Sequence, residues 1–253
     1  MTDLPPQIWK EVYPVRSFDV DARGHLTVAA VCNFLQDAAG CHAHALGVSI
    51  DQLHQIHLTW VLIRMRLELD RNLEWQDRLQ IHTWPSHQDR LISQRDFLLF
   101  DGVGRASGRC VTQWVVMDMQ RWRPQRLTAL PKPLPKPDRP RAMENMPAKI
   151  DAIEGVKPEL SFRVGDRDLD RNGHVNNVRY IEWALEALPA SVRNTCGLRT
   201  LDINFTGEAF HAESLLAGCQ ASDEWQTSFL HVIRRQSTGD DLARAKTMWR
   251  PLL

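Results

Sequence analysis

The sequence predicts an α+β protein built from two tandem copies of one unit, each a long helix held against a curved antiparallel sheet. Three observations predict it. A short motif occurs twice, as DVDARGH over residues 19–25 and DLDRNGH over 168–174, at an offset of 149. Each copy runs into a helical apolar pattern and then into segments of period-2 alternation, an order that suits a helix on the concave face of an antiparallel sheet. Between the copies lies PKPLPKPDRPRAMENMPAKI, whose prolines at 131, 133, 135, 137, 140 and 147 forbid a regular helix or central strand. The expected division is a first domain over 1–130, an extended Pro-rich linker over 131–150 and a second domain over 151–253.

The elements follow in order. After the first motif, LTVAAVCNFLQDAAGCHAHALG has helical periodicity, and Ala38, Ala39 and Gly40 would let that helix lie close to the sheet. A strand follows in which Val61, Ile63, Met65, Leu67 and Leu69 point one way and Arg64, Arg66 and Glu68 the other. DRLQIHTW, LISQRDFLLF and RCVTQWVVM read as further strands. In the second half, Asn176 or Asn177 can cap a helix whose Ile181, Ala184, Leu185 and Leu188 share a face, and Pro189 stops it. Leu201, Ile203 and Phe205 then alternate with Asp202, Asn204 and Thr206. ESLLAGCQ, TSFLHVIRR and ARAKTMWR complete the half. The first long strands of the two halves align at an offset of 136, and each half closes near a Thr-x-Trp, at Thr112/Trp114 and Thr247/Trp249.

Composition excludes several classes. The 253 residues carry 31 basic and 31 acidic side chains, with no basic excess of the kind a general nucleic-acid binder shows. Apolar residues make up 43%, enough for a sizeable core, yet no run approaches a membrane span. Cysteines 32, 41, 110, 196 and 219 form no CxxC pair and read as reduced thiols of a cytoplasmic protein. The N-terminal MTDLPPQIWKEV has neither signal-peptide nor transit-peptide character.

The densest chemistry lies in DRDLDRNGHVNNVRYIEW, 166–183, where three aspartates, three asparagines and a histidine crowd the entrance of an apolar helix. Taken alone, Asp168 and Asp170 would read as turn and capping residues. The full run favours a site. A helix start offers unpaired N–H groups and partial positive charge, which suit an oxyanion.

With DLDRNGHVNNVRYIEWALEALP in the second half and NFLQDAAGCHAHALGVS, LTWVLIRMRLEL and TQWVVMD in the first, nearly the whole chain resembles the acyl-carrier-protein thioesterases of fatty-acid synthesis, and a bacterial member in particular. The resemblance implies two tandem hotdog domains and release of free fatty acid from a phosphopantetheine-linked acyl chain, without metal or organic cofactor. It implies a site at Asp170, Asn172 and His174 with a downstream carboxylate at Glu208. Many plant members carry a cysteine after that carboxylate. Here the position is Ala209, which removes a thiol mechanism, unless a cysteine from elsewhere substitutes, and leaves a carboxylate one. Glu208 is then the candidate general base, or less favourably a direct nucleophile. Asn172 would hold the water or the carbonyl, His174 would orient Glu208 in preference to protonating the leaving thiolate, and Asp170 would fix the loop or Asn172. At matching positions the first half has Arg23 for Asn172 and Asn72 for Glu208, so it reads as an acyl-accommodating copy without the base.

Other features are weighed beside these. Cys41, His42 and His44, with His54 and His57, invite a metal site, but no complementary ligands follow at zinc spacing and a core or interfacial role is preferred. His25 reads as a relic of the duplication. Trp60 and Trp183 are core fillers that could line an acyl cavity. Arg121, Arg123, Arg126, Lys132, Lys136, Arg139 and Arg141 would face acidic carrier protein, a nucleotide phosphate or solvent. A monomer or a loose homodimer fits two hotdogs in one chain. Two other functions stay open: hydrolysis of acyl-coenzyme A, and acyl binding without hydrolysis.

Overall fold

A computed structural model describes residues 6–252, so the first five residues of the N-terminal stretch lie outside it. The chain divides into two compact units. Unit 1 runs to Ile63 and resumes over Asp70–Met146, while unit 2 comprises Arg64–Leu69 and Pro147 onward. No helix among the described residues is long and apolar enough to cross a membrane.

Unit 1 contains β1 (Trp9–Pro14), α1 (Val28–Leu46), α2 (Ile50–His54), the first half of β2 (Leu58–Leu69), β3 (Arg78–Gln88), β4 (Ile92–Phe100), β5 (Ala106–Asp118) and β6 (Arg123–Gln125). Its strands run antiparallel in the order β1-β3-β4-β5, with β6 beside β5. Helix α1 is set by its ends. Thr27 accepts from the Ala30 amide at 3.1 Å, and Gly47 closes the helix at φ 77°, where a side chain would be strained. The helix buries Ala30, Val31, Phe34, Leu35, Ala38 and Ala39 and lies on β1 and β3. Gly40 is exposed, so only the alanines of the expected small-residue contact face inward.

Unit 2 contains β7 (Leu160–Arg163), α3 (Asn177–Glu186), α4 (Ala190–Thr195), β8 (Cys196–Phe205), β9 (Ser214–Ala221), β10 (Ser228–Arg235) and β11 (Asp241–Pro251). Its sheet is antiparallel in the order β8-β11-β10-β9-β7, and Arg64–Glu68 of β2 pairs with Thr200–Asn204. Asn176 is the cap of α3, accepting from the Val178 amide at 2.9 Å. Ile181, Ala184 and Leu188 are buried as expected, while Leu185 is only half-buried. Pro189 ends this pattern and also opens α4.

Two expectations need correction. Period-2 burial in β2 holds only from Met65 to Leu69. Upstream Leu62 is buried while Val61 and Ile63 are half-buried, and the phase changes where the strand leaves unit 1 for unit 2. Strands β1 and β7, which precede each motif, were not expected. β1 has only the weak alternation of an edge strand, and β7 is four residues long.

The proline-rich stretch has no helix or strand, yet it is not a free spacer. Within unit 1, Leu134 packs with Leu46 and Val48, the Arg139 guanidinium lies 4.2 Å above the Trp84 ring, and the Ala142 amide donates to buried Asp96 at 2.7 Å. Arg141 reaches Gln94. Two of the seven basic residues expected to face carrier, phosphate or solvent therefore fasten this segment. Within unit 2, Ile150, Ile153 and Val156 pack with Val232. Asn204 accepts from the Ile150 amide at 2.7 Å, and Arg234 and Arg244, both paired to Asp241, donate to the carbonyls of Ile153 and Ile150. The segment thus covers polar positions of the sheets that alternation alone would leave to water.

The repeated Thr-x-Trp has a physical basis. The Trp249 indole donates to the Thr247 hydroxyl at 2.8 Å, and that hydroxyl contacts Nε2 of fully buried His231 at 2.8 Å. The other ring nitrogen, Nδ1, donates to the Ala184 carbonyl of α3 at 2.9 Å. Each group is satisfied only if the imidazole is neutral, and burial pushes its pKa down to about 4. The unfolded chain therefore takes up a proton below pH ~6.5 that the folded chain refuses until pH ~4. The stabilisation is complete above pH ~6.5 and declines on acidification, by about 2 kcal/mol at pH ~5. Burial also holds the pKa of His42 down to about 4, so urea unfolding at the two pH values should show at least that loss, and His231→Gln should remove only the share of His231. Equal slopes in the two proteins would exclude His231 as the cause.

In unit 1, Trp114 donates to Thr112 in the same way, at 2.8 Å. Opposite Thr112 in the register stands Arg95, whose guanidinium donates to His42 at 3.1 Å, and His42 also reaches the Pro6 carbonyl. His42 is thus a core residue with both nitrogens engaged. Trp60 is also core, donating to the Val48 carbonyl at 2.9 Å.

Candidate active site

The loop between β7 and α3 is shaped by its own aspartates. Asp168 is buried and accepts from the Gly165 amide at 2.9 Å. Asp170 accepts through Oδ1 from the amides of Asn172 and His174, at 2.8 and 3.2 Å, and its own amide donates to the His174 carbonyl at 2.7 Å. Gly173, at φ 77°, makes that tight reversal possible. The Asn176 amide then donates to the Asp168 carbonyl at 2.8 Å, seating the loop on the start of α3.

Glu208 arrives from the segment after β8. The Val175 amide donates to the Ala209 carbonyl at 2.9 Å, so the two segments lie side by side. Glu208 Oε1 is 3.4 Å from His174 Nδ1. Arg235 donates to the Glu208 carbonyl at 2.6 Å, and Phe210 meets the His174 ring edge-on with centroids 5.1 Å apart. Burial raises the Glu208 carboxyl above its ordinary value. His174 opposes the rise and the charge of Asp170 adds to it. Asn172 donates weakly to Asp170 Oδ2 at 3.4 Å, while its Oδ1 is buried without a partner. All four expected site residues therefore meet within unit 2.

Unit 1 repeats the loop bond for bond. Asp21 accepts from the amides of Arg23 and His25 at 2.9 and 3.0 Å, Gly24 has φ 84°, and the Leu26 amide donates to the Leu73 carbonyl at 2.7 Å. This last bond matches Val175 to Ala209, so the structure aligns Asn72 with Glu208 as the sequence did. Arg23 folds onto Asp21 at 2.7 Å. Glu74, two residues beyond Asn72, stands 3.9 Å from His25 but is mostly exposed.

Sequence models of two domains match the chain. The acyl-ACP thioesterase N-terminal domain covers residues 6–129, and the acyl-ACP thioesterase C-terminal domain covers residues 153–251. The chain belongs to the acyl-ACP thioesterase family. It is 28% identical to oleoyl-acyl carrier protein thioesterase 1, chloroplastic, of Arabidopsis thaliana over 96% of this chain and 76% of that one. The oleoyl-acyl carrier protein thioesterase of Coriandrum sativum is 30% identical over the same shares. Among solved structures, an acyl-ACP thioesterase from Bacteroides thetaiotaomicron superposes with TM-score 0.87 at 26% identity, covering 96% of this chain and 98% of that one. The 12:0-ACP thioesterase from Umbellularia californica shares the fold, with TM-score 0.82 at 22% identity over 99% and 100% of the two chains. Each unit is accordingly a hotdog.

Where a thioesterase needs oxyanion donors, the helix start is more committed than sequence suggested. The amides of Asn176, Val178 and Arg179 are used by Asp168, the Asn176 side chain and the Asn176 carbonyl. The Asn177 amide is the one in this turn without such a bond among the described residues. Cys219 donates to the Ala187 carbonyl beyond the opposite end of α3, and burial pushes its thiol up to about 11, which keeps it protonated near neutrality. Sequence reasoning also passed over Tyr180, whose buried hydroxyl has no well-formed hydrogen bond and is approached by the Ala209 amide. Its place in the helical apolar pattern made it read as core.

Proposed function

We propose that this protein hydrolyses the thioester of fatty acyl-acyl carrier protein, using a water activated by Glu208. The observation that carries this reading is the 3.4 Å approach of Glu208 to His174 beside a loop that Asp170 holds rigid. A carboxylate raised by burial is a better proton acceptor near neutrality than an ordinary one.

In the proposed reaction a water bridges Glu208 and the unpartnered Asn172 Oδ1. Glu208 takes one proton as the water oxygen bonds to the thioester carbon. The Asn177 amide receives the oxyanion, and one such donor can be worth about 3 kcal/mol. Collapse breaks the carbon–sulfur bond. The thiolate, whose conjugate acid has a pKa near ~8.5, needs little acid help and recovers the proton from Glu208. The products are a free fatty acid and the carrier thiol. His174 orients Glu208, and Asp170 orients Asn172 and His174.

On this reading unit 1 accommodates the acyl chain and does no chemistry, because Arg23 and Asn72 replace the amide and the base. No second copy of the chain is required, since the four residues share one unit. A cytoplasmic location alongside the carrier follows. The test is to supply one acyl chain on acyl carrier protein and on coenzyme A and measure acid released. A kcat/KM at least tenfold higher with the protein carrier is expected. Preference for coenzyme A would replace the carrier assignment, and intact thioester on both would replace hydrolysis by binding.

A further inference from the structure

Tyr180 is in the second turn of this helix and has no role in the reaction above. It is 2% exposed, and its ring meets Trp183 and Phe205 edge-on, with centroids 5.8 and 6.0 Å apart. Those contacts account for an aromatic ring and not for the oxygen. The hydroxyl is buried and has no well-formed hydrogen bond. An unpaired buried donor costs about 1–3 kcal/mol, so phenylalanine would serve the core better.

The surroundings of that oxygen indicate its use. The Ala209 backbone amide approaches it, and Glu208, Arg235 and Glu213 are near enough to influence it. Ala209 is fully buried, and its carbonyl is held from the other side by the Val175 amide at 2.9 Å. The residue after Glu208 is thus bonded to the end of the loop through its carbonyl, while its amide approaches the Tyr180 hydroxyl of α3. The duplicated unit supplies an internal control. At the same offset of 149, Tyr180 matches Val31, which is equally buried. The unit with the carboxylate has the hydroxyl, and the unit with Asn72 lacks it.

We infer that Tyr180 is a positioning residue whose hydroxyl holds the Glu208–Ala209 segment against α3 and so keeps the Glu208 carboxylate at His174. The inference rests on Glu208 acting as the base. Its physical content is that the carboxylate stays half-buried, facing His174 and Asp170, only while the peptide behind it is pinned.

Tyr180→Phe removes the oxygen and keeps the ring. We expect kcat to fall ~10- to 100-fold, the size of effect a small misplacement produces, with KM changed less than about twofold. The acid limb of the kcat profile should move toward the ordinary carboxylate value. A residue that only stabilised the fold would lower the melting temperature and leave the limb in place. Unchanged kcat and an unchanged limb would overturn the inference. A second measurement does not depend on that variant folding. Tyr13 and Tyr180 are the chain's two tyrosines, so in full-length Tyr13→Phe protein grown on 3-fluorotyrosine one fluorine signal reports Tyr180. It should titrate with the acid limb and cease to do so in Glu208→Gln. A signal that stays flat from about pH 4 to 8 would equally overturn the proposal. Retained activity in Glu208→Gln would instead remove the base assignment. An inactive Glu208→Gln beside an unimpaired Tyr180→Phe would remove only the role of Tyr180.

Discussion

Glu208→Gln is expected to lower kcat on acyl carrier protein substrates by about a thousandfold, within the ~10²–10⁴ range of a positioned general base. The amide keeps the size of the side chain and can still hold a water, but it cannot accept the proton that the attacking water must lose. Folding should be little affected, because the structural bonds of this segment come from its backbone. The Glu208 carbonyl receives Arg235 and the Ala209 carbonyl receives Val175. The wild-type pH profile supplies a companion result. Burial raises the carboxyl, so activity should be lost on acidification at a pH above the ordinary glutamate value of ~4.3. Steady-state rates of released acid, with circular dichroism melts of both proteins, make the measurement. A variant that keeps a tenth of the parent kcat would take Glu208 out of the proton transfer.

Gly218→Ala is expected to destabilise unit 2 by about 2–3 kcal/mol, the scale of overpacking in a tightly filled core. Propensity alone points the other way, since alanine in a strand interior is favoured over glycine by roughly 0.5–1 kcal/mol. Geometry decides. A methyl on Gly218 would enter the space of the Lys157 carbonyl oxygen, and would lie 3.0 Å from both the Lys157 carbonyl carbon and Val156 Cγ1. That backbone cannot retreat easily. The Glu159 amide donates to the Ala217 carbonyl at 2.9 Å, and Arg234 holds the carbonyl of Ile153 at 3.0 Å. Displacing residues 153–159 would also shift β7, which leads into the Asp170 loop, so kcat should fall with stability. For a chain of this length the expected loss in melting temperature is about 4–12 °C. A Gly218→Ala protein as stable as its parent would show that the segment gives way freely.

These two results draw on different kinds of information. Glu208, which alone would read as a solvated loop carboxylate, was legible mostly through the resemblance, and the duplication added the contrast with Asn72. The offset of 136 pairs Glu208 with Asn72, and the structure repeats that pairing in the bonds from Val175 and Leu26. Gly218 was not legible. Nothing in ESLLAGCQ distinguishes a glycine that tolerates a methyl from one pressed by a segment some sixty residues upstream. Thr-x-Trp lies between these cases. The pattern was visible twice, but its bond to His231 and on to Ala184 needed three elements in place.

By itself the sequence determined the α+β duplication, the start of the second long helix and the polar loop before it, because these depend on periodicity and on bonds between residues two to four apart. Only the tertiary structure decided that the proline-rich segment is fastened within both units, that β2 divides between two units, and that the Tyr180 hydroxyl is buried without a well-formed hydrogen bond. Those features are contacts between residues far apart in the chain. Local pattern cannot encode them, because the same side chains would serve equally well against a different neighbour.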